Sequence, residues 1–142
     1  MPLIHIRSLA LDPMHDVAAV ITGLSKDYAA AAKVDIKHVS VTWTMLPPGH
    51  YAAGGKIAHM QPEHTHAMLV ELLRPRLDLN ESEALINKLL GTIADSLSKR
   101  ADVSRDNIFI VHRYAESGQV FGDGEVVRWE SVDGRTRMPI GE

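Results

Sequence analysis

The feature that most constrains this chain is a pattern that occurs twice. Val17, Val20, Ile21, Leu24 and Tyr28 place apolar side chains at intervals of 0, 3, 4, 7 and 11, and Ile86, Leu89, Leu90, Ile93 and Leu97 repeat those intervals 69 positions later. Residues three and four apart share one side of an α-helix, so each stripe predicts an amphipathic helix with one buried face. Any amphipathic helix offers such a stripe, so the weight falls on what surrounds it. A short apolar run precedes each stripe (Leu3 to Leu11, Met68 to Leu73), and a β-rich run follows each (His38 to Met45, Asn107 to His112). In the first of these, Val39, Val41 and Trp43 alternate with Ser40, Thr42 and Thr44, as a strand with one buried face requires. Both β-rich runs lead into a glycine-rich turn, and matching Tyr51 with Phe121 also matches Gly54 with Gly124.

The chain therefore reads β-α-β-turn twice. Asp12-Pro13 supplies a helix cap and a first-turn proline for the first helix. Asn80, with Glu83 three residues on, supplies a capping box for the second. Strands joined by a crossover helix run parallel, with the helix on one face of their sheet. The expectation is an α/β fold: one domain of two tandem β-α-β units, about residues 2–58 and 66–127, forming a four-stranded sheet with both helices on one face. Residues 56–65 join the halves. The tail, residues 128–142 with a turn at Asp133-Gly134, is expected to form an added strand or an arm onto a neighbouring subunit, continuing from Val126-Val127.

Composition narrows the function. At 142 residues, 45% hydrophobic and 23% charged, the chain can bury one ordinary core. A net charge of -3 without a basic stripe argues against nucleic acid as a partner. Cysteine is absent, which excludes disulfides and thiolate chemistry. The first residues lack the basic and long apolar segments of a secretion signal, and no apolar run approaches the ~20 residues needed to span a bilayer. A cytoplasmic protein with no membrane partner is expected.

Residues 39–58, carrying Trp43, Pro47-Pro48-Gly49 and Gly54-Gly55, resemble the second strand and turn of 4-oxalocrotonate tautomerase. Pro2-Leu3-Ile4-His5-Ile6 resembles the start of that family, and the turn Phe121-Gly122-Asp123-Gly124-Glu125 resembles the C-terminal turn of its longer members. The likeness, covering about residues 2–127, is to the tautomerase superfamily, and in general form to malonate semialdehyde decarboxylase and the cis-3-chloroacrylic acid dehalogenases. It implies that Pro2, exposed once Met1 is removed, is the catalytic base. A terminal proline is a rigid secondary amine; desolvation and nearby cations disfavour its ammonium form, leaving a free amine able to move a proton α to a carbonyl.

The resemblance further implies that Arg74 and Arg76, at the end of the third strand, bind a substrate carboxylate. A guanidinium grips a carboxylate through two parallel hydrogen bonds. The matching place in the first half falls near Asp12, which leaves that half without the group. His38 stands where the decarboxylase has an acidic residue and can handle protons near neutral pH. Ser40 replaces a second substrate arginine of 4-oxalocrotonate tautomerase, which argues against a dicarboxylate muconate. Tyr51 and Phe121 are candidate pocket walls. His66 falls where the second half would have needed its own terminal proline. Arg113 and Tyr114 read as solvated loop residues past the fourth strand, and His59, His64 and His66 as exposed linker histidines rather than a metal site.

The resulting expectation is a cofactor-free, metal-free homotrimeric tautomerase or isomerase acting on a small 2-oxo or enol carboxylate, with no nucleic acid partner. Two alternatives stay open: a decarboxylase or hydratase using His38 on a three-carbon unsaturated or semialdehyde acid, and a non-catalytic ligand-binding or assembly module.

Overall fold

The computed structural model describes residues 1–11, 15–61, 66–132 and 135–137. In chain order its elements are β1 (Leu3–Leu11), α1 (Val17–Ala32), β2 (Ser40–Leu46), β3 (Tyr51–Ala53), β4 (Lys56–Ala58), β5 (Met60–Gln61), β6 (Met68–Pro75), α2 (Glu83–Ala101), β7 (Ile108–Ala115), β8 (Val120–Gly122), β9 (Glu125–Val127), β10 (Glu130–Val132) and β11 (Arg135–Arg137). A short 3-10 turn precedes β2 at Ile36–His38, and another precedes β7 at Arg105–Asn107. Among the described residues no helix is long and apolar enough to cross a membrane.

The main sheet has the order β2-β1-β6-β7, with β5 added beside the end of β1. Within each half the strands run parallel; where the halves meet, β1 and β6 run antiparallel. This is the tandem β-α-β sheet expected from the repeat. Even-numbered residues of β1 and β6 face the helices. Ile4, Ile6, Val70 and Leu72 pack with Val20, Leu24 and Tyr28 of α1 and Leu89, Ile93 and Leu97 of α2 into one buried cluster. The two stripes thus meet one another as well as the sheet. Equivalent positions touch across the middle, where Ser96 donates to Asp27 at 2.7 Å and Arg100 donates to the same carboxylate at 3.1 and 3.2 Å. The Arg100 guanidinium lies over Gly23, where a Cβ would collide with it.

Helix starts differ from the expected ones. Asp16, not Asp12, caps α1, its carboxylate accepting from the Ala19 amide; Asp12 and Pro13 lie outside the described residues. Ser82, not Asn80, caps α2 by accepting from the Leu85 amide, and the Asn80 amide donates instead to Asp78. Both helices stop at a left-handed residue, Lys33 (φ 56°) and Asp102 (φ 52°). These also stand 69 apart, as do Gly49 and Gly118, Gly54 and Asp123, and Gly55 and Gly124, all at positive φ. The hairpins β3–β4 and β8–β9 follow the same offset, so Tyr51 matches Val120 and Gly54 matches Asp123. Matching Tyr51 to Phe121 and Gly54 to Gly124 was out by one residue.

Val126 and Val127 belong to β9 and pair back onto β8. Trp129 is buried against its own chain, its indole N–H donating to the Arg76 carbonyl at 2.9 Å and its backbone held on both sides by the Ser117 hydroxyl. Beyond it β10 and β11 form a hairpin; Asp133 and Gly134 lie outside the described residues. Among the described residues nothing covers the helix-free sheet face, on which Leu3 and Phe109 are exposed.

Candidate active site

The antiparallel pairing of β1 with β6 decides which residues meet. Leu3 lies opposite Leu73, so Pro2, one residue earlier, comes beside Arg74, one residue later. Pro2 is buried, and with Arg74, Tyr28, Leu77 and Leu85 it lines a cavity of about 90 Å³. Ala32 and Val34 add apolar wall, and Met1 forms part of the lining.

Arg74 sits in a dense polar network. Its two terminal nitrogens donate to Glu81 Oε1 at 2.6 Å and Oε2 at 2.8 Å, a bidentate pair with side chains only 14% and 11% exposed. The Tyr114 hydroxyl donates to Glu81 Oε1 at 2.5 Å. Arg74 also donates to His112 Nε2 at 3.3 Å. A guanidinium has no acceptor, so that nitrogen carries the lone pair and the imidazole is neutral. His112 meets Tyr114 edge-on, with centroids 4.6 Å apart. Arg76 stacks over the other part of this group, 3.9 Å from the Tyr114 ring centroid, and pairs with the more exposed Glu116 at 2.7 Å.

The electrostatics follow from this packing. The Arg74 hydrogen bonds hold the Glu81 carboxyl below its ordinary range, outweighing its partial burial. Burial, with the Arg74 charge, pushes His112 down. Burial pushes the Tyr28 phenol up, while the Arg74 charge pulls the other way. Burial and the hydrogen bond to Glu81 raise Tyr114.

Of the residues singled out from the sequence, Pro2 and Arg74 come together at the cavity, and Arg76 lies just beyond. His38 closes the 3-10 turn at the same end of the sheet, where the Ser40 amide donates to the Pro2 carbonyl, but its side chain is exposed and outside the cavity lining. Phe121, on the hairpin after β7, is 72% exposed. Tyr51 lies at the opposite end, packed edge-on against His66 with centroids 4.9 Å apart. His66 is fully buried, its Nε2 2.7 Å from the Lys56 carbonyl, which overturns the reading of it as an exposed linker histidine. His59 is exposed, and His64 lies outside the described residues. Tyr114 and Arg113 lie within β7, not past it. Tyr114 joins the network, and Arg113 points to the helix-free face, 3.5 Å from Glu71. Glu81, His112 and Tyr28 were not singled out as site residues, because they read as a helix start, a strand residue and a core stripe.

Strand register also corrects the equivalences. Ser8 pairs with Met45 as Arg74 pairs with Tyr114, so Ser8, not the region of Asp12, holds the matching place in the first half. By the same register Met68, not His66, matches Pro2. At that end the Trp43 indole donates to the Ser8 hydroxyl at 2.9 Å, and the hydroxyl donates to the Leu9 carbonyl at 2.8 Å.

No family model and no curated protein sequence matches the chain. Solved structures do. R7 fused 4-OT, an asymmetric trimer, aligns with TM-score 0.69 and 18% identity over 87% of this chain and 94% of its own. N1, a member of the cis-3-chloroacrylic acid dehalogenase family, gives 0.65 and 17% over 87% and 82%. The macrophage migration inhibitory factor-like protein of Entamoeba histolytica gives 0.63 and 12% over 88% and 97%. The chain shares the fold of these proteins, with two β-α-β units in one chain as in fused 4-OT. With it stands the expected α/β class, two helices on a mixed sheet of β-α-β units.

Proposed function

We propose that the chain is a cofactor-free tautomerase or isomerase in which Pro2, freed of Met1, transfers a proton on a small 2-oxo or enol carboxylate. The observation that carries this reading is the shared cavity: Pro2, Met1 and Arg74 line one small hollow with otherwise mostly apolar walls. Loss of Met1 turns the buried Pro2 amide into a secondary amine and enlarges the hollow. Apolar walls and the adjacent guanidinium both disfavour protonation of that amine, so it is available as a base. Arg74, with Arg76 beside it, supplies positive charge for the substrate carboxylate and for the oxyanion that develops as the α-proton leaves. The volume of about 90 Å³ is that of the hollow with Met1 in place, and removal of Met1 makes room for the substrate.

Assembly as a homotrimer in the cytoplasm belongs to the same proposal. Leu3 and Phe109 on the open sheet face, and Ile57, Phe121 and Val126 on the hairpins, offer exposed apolar surface for such contacts.

The test is ketonisation of phenylenolpyruvate by the full chain and by Pro2→Ala, with intact mass recorded first. Loss of Met1 and a drop in turnover of roughly 100-fold or more, the usual weight of a positioned base, are expected. Retained Met1, or unchanged turnover in Pro2→Ala, overturns the assignment.

A further inference from the structure

The guanidinium that the proposed reaction needs is already holding a carboxylate. Glu81 meets both terminal nitrogens of Arg74 at 2.6 and 2.8 Å, in the two-pronged geometry a substrate carboxylate would adopt. We propose that Glu81 is a built-in place-holder, which occupies the carboxylate subsite on Arg74 and is displaced by the carboxylate of an incoming ligand. The proposal rests on the cavity being the ligand site, and it adds that access is set by competition between two carboxylates for one cation.

Three features support exchange over a fixed structural bridge. Glu81 belongs to neither a strand nor a helix. It ends the segment between β6 and α2, immediately before the capping Ser82. That segment is tied down at both ends, by the Arg76 amide on the Ala115 carbonyl and by the Ser82 cap, yet its middle, Leu79 and Asn80, is exposed. At Leu79 and Asn80 the segment buries little apolar surface, so it reorganises at lower cost than the core does. Second, Glu81 has a partner that stays when Arg74 is taken. The Tyr114 hydroxyl donates to it at 2.5 Å, so the displaced carboxylate keeps a donor. Third, the same segment supplies Leu77 to the cavity wall, and Leu85 of α2 follows the cap, so displacing Glu81 alters the hollow that receives the ligand.

The consequence is selectivity. An anionic ligand exchanges one ion pair for another on Arg74 and preserves its charge balance. A neutral carbonyl compound cannot displace Glu81 and gains nothing from Arg74. The cost is apparent affinity: a tethered competitor reduces the competent fraction, and a site latched nine-tenths of the time binds its ligand about tenfold more weakly than an open one.

The experiment titrates the full chain, wild type and Glu81→Gln, with pyruvate as probe and methyl pyruvate as its carboxylate-free control, by isothermal calorimetry or ligand-observed NMR. Glutamine keeps the shape and loses the charge. The expected result is pyruvate binding at least tenfold tighter in Glu81→Gln, with methyl pyruvate changed less than twofold. Tyr114→Phe, which removes the donor that stays with the displaced carboxylate and leaves its charge, provides a second variant should Glu81→Gln fold poorly. Pyruvate binding two- to threefold weaker with methyl pyruvate unchanged is expected, and pyruvate binding that is unchanged or tighter overturns the place-holder. Pyruvate binding that is unchanged, weaker or absent in folded Glu81→Gln overturns the place-holder, as does an equal gain for methyl pyruvate. Because these are binding measurements, they separate from catalysis. Proline catalysis can fail in the Pro2→Ala assay while the exchange stands, and the exchange can fail while Pro2 remains the base.

Discussion

At one end of the sheet Ser8 lies beside Met45, and Trp43 donates to the serine hydroxyl; at the other, Arg74 lies beside Tyr114 and donates to His112. The backbone plan is the same, since each trio takes equivalent places in parallel strand pairs. The chemistry is opposite. Among the described residues the trio at the first end, Ser8, Met45 and Trp43, is uncharged, with Ser8 fully buried and its hydrogen bonds satisfied locally. The second holds two cations, two carboxylates and a histidine, and it is the end at which Pro2 sits. One local shift accompanies the difference. Leu3 pairs with Ser40 and Met68 with Ile108, separations of 37 and 40 residues, and α2 has 19 residues against 16 in α1. A duplicated fold thus offers two equivalent strand ends, and their side chains give the two ends different chemistry.

The largest expected effect comes from removing the cation. Arg74→Met leaves the nearly buried Glu81 carboxylate without its counter-ion, and breaking such a pair costs about 3 kcal/mol. Urea unfolding should show that loss as a lower midpoint at constant slope. Ser8→Ala should cost less, about 1–2 kcal/mol, the penalty of leaving the Trp43 indole N–H unpaired. Equal losses in the two variants would erase the proposed contrast between the ends. The smallest effect is a pH dependence. His112 is held below its ordinary 6.5, so as pH falls the unfolded chain takes up that proton first and stability drops. Glu81, also held low, adds a further loss only at more acid pH, as its own folded value is approached. Midpoints measured between pH 7.5 and 5 should therefore fall with acid in the wild type and fall less in His112→Gln. A midpoint that rises with acid would contradict the neutral imidazole.

Much of the fold was legible because it is local and repeated. The stripes in α1 and α2 and the alternation in β2 follow from side-chain period alone. Helix caps were misplaced because several acceptors stand near each start, and packing chooses among them: Asp16 over Asp12, Ser82 over Asn80. The turn offset was misjudged because aromatic likeness, Tyr51 to Phe121, outweighed backbone conformation, and Lys33, Asp102 and Asp123 adopt positive φ without being glycine. The site was legible in part. Pro2 and Arg74 were chosen by resemblance, but their meeting depends on an antiparallel contact between strands some 70 residues apart. Tyr51, read as a pocket wall, lies within the single chain at the end away from Pro2 for the same reason. It follows β2, which runs parallel to β1 and so away from Pro2. Glu81 looked like a helix start until the fold brought it against Arg74.

The two tryptophans divide between the two ends. Trp43 is bonded to Ser8 at the neutral end, and Trp129 hangs from the Arg76 carbonyl at the charged one. The molecule thus carries one native indole per end. With Trp43 replaced by phenylalanine, its remaining indole emission would come from beside the segment bearing Glu81, an optical readout of events there that needs no added dye.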